Sequence, residues 1–257
     1  MTRSANQLRA HLQIVFPGAV GLFRDIDSRI TLRFLTSFSS AGAALKLTSQ
    51  QLETWLKTNR YTGRTPATEL LQHLNDAPAG PAEHDTRAPI TIAFVNVLIS
   101  IRAEIDTLER RIHELLDQHP DAHVFRSLPR CATTRAATLL VEIGDCRARF
   151  PDAESLCCLA GVAPSTRASG RHRQVNFRWS SDTRLRDAIC DFAGDSWRGN
   201  EWAAHRYHHL RDNGKSHPHA TRILARSWIH IIWRCWQDNV AYNPNHHGAH
   251  QQLSQLT

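Results

Sequence analysis

No Cys-x-x-Cys pair occurs in this sequence. Its six cysteines, at 131, 146, 157, 158, 190 and 235, are scattered. Cys157 and Cys158 are adjacent and cannot easily bridge to each other. This excludes a disulfide frame or a zinc ribbon and fits reduced thiols in a cytoplasmic protein. No signal peptide is present. No apolar run is read as approaching the roughly 18 residues that span a bilayer, so no membrane partner is expected. No internal repeat is visible. No His–Asp pair is placed to serve a serine as general base, which argues against a protease-like triad.

What is there is an ordinary core and an excess of positive charge. At 257 residues the chain suffices for one large domain or two small ones. Hydrophobic residues make up 41% and charged residues 21%. The net charge is +7 with histidine neutral and the isoelectric point is near 9.5. A basic surplus favours polyanionic partners, meaning DNA, RNA or an anionic membrane; the bland alternative is a basic protein with no special partner.

The pattern is mainly α. Four short helices are expected in residues 1–74: "ANQLRAHLQIVF", stopped by Pro17-Gly18; "SRITLRFLTSF"; "TSQQLETWLKTN", capped by Thr48 or Ser49; and "TPATELLQHL". Residues 75–89, rich in Pro, Ala and Gly, read as a linker. Residues 90–119 carry the cleanest periodicity. Phe94, Leu98, Ile101, Ile105, Leu108, Ile112 and Leu115 are spaced 4, 3, 4, 3, 4, 3, a heptad seam. The seam predicts either a coiled coil between copies of the chain or a helical hairpin against an earlier helix.

Residues 124–242 form a second helical region. After the turn at Leu128-Pro129 come "TTRAATLLVEIGD", with Thr133 or Thr134 as cap and Gly144 as stop, and "PDAESLCCLAGVAP". That is a helix-hairpin-helix-like start, although its turn, Arg130-Cys131-Ala132, has no glycine to bring backbone N–H groups against a phosphate. "RQVNFRW", residues 173–179, alternates as a strand does. Three more helices follow, with Ser181 or Asp182, Asn200 and Ser216 as caps. The last has Ile223, Trp228, Ile231 and Ile232 as core and Arg222, Arg226 and Arg234 as a basic stripe. Residues 243–257 are polar and read as a disordered tail.

Two clusters invite chemistry. His205, His208 and His209, followed by His217 and His219, have a spacing that suits a metal at His205 and His209. No acid or cysteine completes a ligand pattern, and the expectation is no metal site but a solvated or nucleic-acid-facing cluster. The other is "APSTRASGRHR", residues 163–173, with two serines four apart among basic residues. A serine hydroxyl is a weak nucleophile unless its deprotonation is assisted. Arg167, Arg171 and Arg173 supply cations for phosphate oxygens, and Gly170 allows close approach of the backbone.

"SLPRCATTRAATLLVEIGDCRARFPDAESLCCLAGVAPSTRASGRHR" resembles the C-terminal domain of the one-hundred-and-ten family of insertion-sequence transposases, the bridge-RNA-guided recombinases. The resemblance continues through "FRWSSDTRLRDAICDFAGDS" and "SHPHATRILARSWIHIIWRCWQDNVAY" and back to "NQLRAHLQIVFPGAV". It implies a DNA recombinase with a serine nucleophile, Ser169 in the Ala-Pro-x4-Ser-Gly pattern, while Ser165 stands where the family does not fix a serine. It implies a structured guide RNA, oligomers through a coiled coil, and Mg²⁺ held by four acids of an N-terminal ribonuclease-H-like domain. The match begins beyond that domain. Asp25 and Asp27 lie in "FRDIDSRI" and do not correspond to those acids. The expectation is a truncated chain, inactive alone, that binds nucleic acid or joins a full-length copy.

The expected nucleic-acid contacts are Arg167, Gly170, Arg171, Arg173, Arg222 and Arg226, with Ser169 catalytic. The competing readings are a non-catalytic nucleic-acid-binding dimer that modulates an intact transposase, and a helical adaptor whose charge is incidental.

Overall fold

The computed structural model describes residues 2–78, 86–169 and 172–246. The fold is mainly α, with twelve α-helices and one two-stranded sheet among the described residues. Two compact units divide the chain, residues 1–108 and 109–257.

In the first unit, α1 (Thr2–Val15) buries Ala5, Leu8, Leu12 and Val15, the i, i+3, i+4 stripe of an amphipathic helix. A 3-10 turn at Pro17–Ala19 ends it. α2 (Arg29–Ser37) starts at Ser28, whose Oγ accepts the Thr31 N–H. The single turn α3 (Ala41–Ala44) was not expected; Ser40 caps it. α4 (Ser49–Thr58) has Thr48 as its cap, in a reciprocal capping box with Gln51. α5 (Ala67–Asp76) completes the set. Phe34 is fully buried at the centre, edge-on to Phe23 and Trp55 at 5.7 and 5.6 Å.

α6 (Ala88–Gln118) begins inside this unit. Thr91, Val95 and Leu98 are buried, and His11 Nε2 lies 3.0 Å from Thr91 Oγ1. Arg102 donates to the Asp27 carbonyl at 3.0 Å and Arg29 pairs with Asp106 at 2.6 Å. The first part of α6 is therefore held by earlier residues of the same chain. Further along the heptad seam, Ile105, Leu108 and Leu115 are exposed. The apolar-run expectation needs correction here. By length and composition alone α6 is apolar enough to cross a membrane, because scattered polar residues such as Thr91 and Asn96 interrupt the run without lowering its average much. Residues 79–85 of the expected linker lie outside the described residues, as do 247–257 of the expected tail.

The second unit is organised around its longest helix. Its elements are α7 (Ala122–Arg126), α8 (Thr133–Ile143), α9 (Ala153–Leu159), β1 (Ser165–Ser169), β2 (His172–Asn176), α10 (Thr183–Ser196), α11 (Glu201–Asp212) and α12 (His217–Asp238). Helices α7, α9, α10 and α11 all pack on α12. Trp228, Ile232 and Trp236 of α12 are fully buried, as are Phe125, Leu139, Ile189 and Phe192. Each such aliphatic or phenyl side chain contributes roughly 1.5–3 kcal/mol by leaving water. The three indole N–H groups of α12 are satisfied: Trp228 donates to Ser196 Oγ at 2.8 Å, Trp233 to the Phe150 carbonyl at 2.9 Å, and Trp236 to Asp121 Oδ2 at 3.0 Å.

Several local expectations change. Thr133 and Thr134 lie inside α8; Ala132 takes the cap position with extended backbone and no side-chain bond. Ser216 holds the cap position of α12, yet its side chain makes no cap bond. Asp152, Asp182 and Asn200 do cap α9, α10 and α11. In the turn before α8, Arg130 takes φ +54°, the left-handed geometry a glycine would supply without strain.

Candidate functional site

The serine segment is a β-hairpin. β1 and β2 pair antiparallel from Ser165↔Asn176 at the root to Ser169↔His172 at the end. Ser165 thus sits at the root and Ser169 in the last register pair, exposed to solvent. The expected strand 173–179 is shorter and starts one residue earlier. Beyond Asn176, Arg186 of α10 holds the chain differently: its Nη2 donates to the carbonyls of Arg178 and Trp179, at 3.2 and 3.4 Å, and to Ser181 Oγ. Asp182 N–H donates to the Leu159 carbonyl at 2.8 Å, tying the same segment to α9.

The expected basic residues separate into groups. Arg167 is in β1, two positions before Ser169; Arg173 in β2 is the register partner of Ala168, one step out of phase with the serine. Gly170 and Arg171 lie outside the described residues. Arg222 lines a cleft at the hairpin root. Arg226 is turned to α9, where its Nη2 donates to both Glu154 oxygens at 3.1 and 3.0 Å. Arg234 pairs with Asp238 at 2.6 Å.

The root cleft has a volume of about 370 Å³. Gly161 to Pro164, Asn176, Phe177, Arg178, His219, Arg222 and Ile223 line it. Arg222 and Arg186 stack on the Phe177 ring, at 4.7 and 5.0 Å from its centre. Gly161 has φ +67°, and a Cβ there would lie 2.7 Å from Ser181 Cβ and 2.8 Å from Arg186 Nη2. A side chain at that position would have to displace Ser181 and Arg186.

Two carboxylates anchor the unit, and neither was singled out in the sequence. Asp195 receives Arg130 Nε and Arg135 Nη1, both at 3.0 Å, and Arg198 Nη1 at 2.9 Å. Hydrogen bonding from Arg130 leads the forces that hold its carboxyl at about 2; the small cost of burial is outweighed by Arg135 and Arg198 beside it. Asp121 is almost fully buried. Burial opposes its ionisation, but hydrogen bonds from Arg147 at 2.6 Å and from Trp236 win, and its carboxyl stays below the usual carboxylate range.

One group of three metal-type donors occurs among the described residues: Glu154, Cys157 and His230, with ligand atoms within 4.8 Å of one another. It does not fit Mg²⁺, which takes hard oxygen ligands. The Glu154 carboxylate already holds Arg226, and burial, with Glu154 nearby, pushes the Cys157 thiol up to about 12. The histidines from 205 to 219 assemble no such group; the Tyr207 hydroxyl and His217 Nδ1 lie 2.7 Å apart, and His209 contacts Asn213. Asp25 and Asp27 are turn residues whose carbonyls accept from Thr31 and Arg102. A second basic cleft, in the first unit, is lined by Arg24, Arg29, Arg33 and Arg60 with Phe23 and Tyr61. Sequence reading gave that region no chemistry, since its arginines are spread over some 36 positions and only folding gathers them.

Residues 122–209, from α7 through the hairpin and α10 into α11, match the model of the transposase IS116/IS110/IS902 family. The chain is 31% identical over 244 residues to the "Mini-circle putative transposase for IS117" of Streptomyces coelicolor, covering 91% of this chain and 58% of that protein. It is 31% identical over 251 residues to the 43.6 kDa protein of insertion element IS110 from the same organism, covering 94% and 60%. It is 26% identical over 219 residues to the 42 kDa protein of insertion element IS900 of Mycobacterium paratuberculosis, covering 84% and 55%. The chain thus spans somewhat over half the length of these relatives.

Proposed function

We propose, on the premise that residues 122–209 carry a transposase domain of the IS116/IS110/IS902 family, that this chain takes part in the DNA strand exchange that moves an insertion sequence. Ser169 is the nucleophile. The observation that carries this reading is its position: an exposed hydroxyl in the last pair of a hairpin that lies inside the matched segment. In the step proposed, Ser169 Oγ bonds to a backbone phosphorus, one phosphodiester P–O bond breaks, and the departing strand oxygen takes up a proton. The serine proton leaves to a base outside the hairpin. Arg167, Arg171 and Arg173 are proposed to supply positive charge to the phosphate oxygens, with Gly170 between them in the sequence.

Mg²⁺ belongs to the reaction by family resemblance. The one donor group among the described residues does not suit it, and the acids that hold it are proposed to lie outside these 257 residues. On that reading the chain alone does not complete strand exchange and works with a carboxylate-bearing partner, such as a full-length copy. A structured guide RNA is the further partner proposed, and the setting is cytoplasmic.

A second reading, a non-catalytic nucleic-acid-binding dimer that modulates an intact transposase, draws on a different observation. α6 leaves Ile105, Leu108 and Leu115 of its heptad seam exposed, a surface suited to a second copy.

The test is a covalent-adduct assay. The chain is incubated with element-end DNA, guide RNA and Mg²⁺, with and without the acidic domain of an intact relative, and protein–DNA adducts are counted on a denaturing gel. The adduct is expected to require Ser169 and to survive Ser165→Ala. An adduct that persists in Ser169→Ala rejects the nucleophile. Binding without any adduct, in every combination, favours the second reading.

A further inference from the structure

We infer that the cleft at the hairpin root is a nucleotide subsite, in which Arg178, His219 and Arg222 hold a backbone phosphate and the indole of Trp179 stacks an unpaired base. The inference rests on the proposed nucleic-acid function and adds to it a place where a strand is gripped away from the serine.

The first argument is which arginines are engaged. In the second unit Arg130, Arg135 and Arg198 are turned to Asp195, Arg147 to Asp121, Arg226 to Glu154 and Arg234 to Asp238. The guanidinium of Arg222 makes no hydrogen bond or ion pair with any described residue; it lies on the Phe177 ring with its edges open to the cleft. Arg178 Nε is buried without a hydrogen-bond partner, a costly state for a donor unless something is brought to it. No carboxylate of the described residues lines the cleft, so its lining selects for an anion.

Trp179 supplies the second argument. It is 82% exposed, the most exposed large apolar side chain among the described residues. An indole left in water is unfavourable by itself and is the usual platform for a nucleic-acid base. It is also fixed. Its ring meets Phe177 edge-on at 4.8 Å, Arg186 and Arg222 both lie over the Phe177 ring, and Arg186 holds the Arg178 and Trp179 carbonyls. A rigid aromatic loses little freedom on binding.

Size and position agree. A volume of about 370 Å³ is within the range of sites that take a nucleotide-sized group. Asn176 of the lining is the register partner of Ser165, so the cleft and Ser169 stand at opposite ends of one hairpin. Four strand steps separate them by about 13 Å, roughly four base-pair rises of duplex DNA.

The test is fluorescence anisotropy with the full chain in the Ser169→Ala background, so that binding is read without chemistry. The probes are a labelled single-stranded DNA, the same sequence as RNA, and its DNA duplex. Trp179→Ala is expected to weaken the single-stranded probes about 5- to 150-fold and the duplex much less. Arg222→Gln is expected to lower the salt slope of single-strand binding by about 0.7, while Arg234→Gln leaves single-strand affinity within twofold. The DNA and RNA arms identify which strand occupies the cleft, and a response in either upholds the subsite. Equal affinity of Trp179→Ala and its parent for all three probes, with unchanged thermal melting, overturns it. That result leaves the Ser169 adduct untouched, and loss of the adduct leaves this binding result untouched.

Discussion

Trp236 and Asp121, 115 positions apart, meet through an indole N–H on a carboxylate oxygen at 3.0 Å, while the other oxygen of the same carboxylate takes Arg147. A charge so nearly enclosed is tolerated only because both oxygens are bonded. Asp121→Ala strands the Arg147 guanidinium and the Trp236 N–H together. The expected loss is about 3 kcal/mol, seen as a lower denaturant midpoint with an unchanged slope. Asp121→Asn keeps an acceptor for the indole and is expected to lose less.

Acid should weaken the second unit in a definite direction. The Asp195 carboxyl is held at about 2 in the folded chain, below an ordinary aspartate near 3.8, and Asp121 is also depressed. A depressed folded value stabilises above the unfolded one and is lost as pH falls through the folded one. Stability is therefore expected to be level above about pH 5 and to fall between about pH 4 and pH 2. Asp195→Asn should flatten that fall and lower stability at pH 7 by roughly 1–3 kcal/mol. Thermal melts at pH 3 and pH 7 check both; an unchanged difference between the two pH values contradicts the arginine hub.

At Gly161 the backbone is left-handed and its missing side chain makes room for Ser181 and Arg186. Gly161→Ala meets both problems at once. A loss of about 1–3 kcal/mol is expected, together with faster proteolysis in the segment 164–180, because Arg186 can no longer sit where it fixes that segment. Limited trypsin digestion followed by mass spectrometry reads it.

Leu108 is 61% exposed on the open part of the heptad seam. If copies of the chain associate there, Leu108→Glu shifts the sedimenting species to monomer, while Val95→Ala, in the covered part of α6, lowers stability and leaves the association state alone. A parent chain that is monomeric at tens of micromolar contradicts the coiled coil.

The helices were legible because their information is local. Leu8 and Leu12, or Leu52 and Leu56, declare a face by spacing, and Thr48 with Gln51, Asp152 and Asn200 declare their starts. The serine strand was not legible: Ser-Thr-Arg-Ala-Ser has no apolar alternation, and its pairing with β2 supplies what its side chains do not. The anchoring acids were hidden for another reason. Asp195 finds Arg130 and Arg135 across 65 and 60 positions, Asp121 finds Trp236 across 115, and Glu154 finds Arg226 across 72. The same distance effect split the apparent stripe of Arg222, Arg226 and Arg234: equally charged on paper, only Arg222 faces the cleft.

The hairpin is a lever. Ser169 stands about 13 Å from its root, so a tilt of about 5° at Asn176 moves the hydroxyl by about 1 Å, the kind of misplacement that costs a reaction about a hundredfold. Angular tolerance at the root therefore becomes accuracy at the tip. The glycine at 161 and the guanidinium of Arg186 both act on the fulcrum, and so would the strand proposed for the cleft. On the function proposed above, the reach of the nucleophile is then set at the root of the hairpin and by whatever the cleft holds.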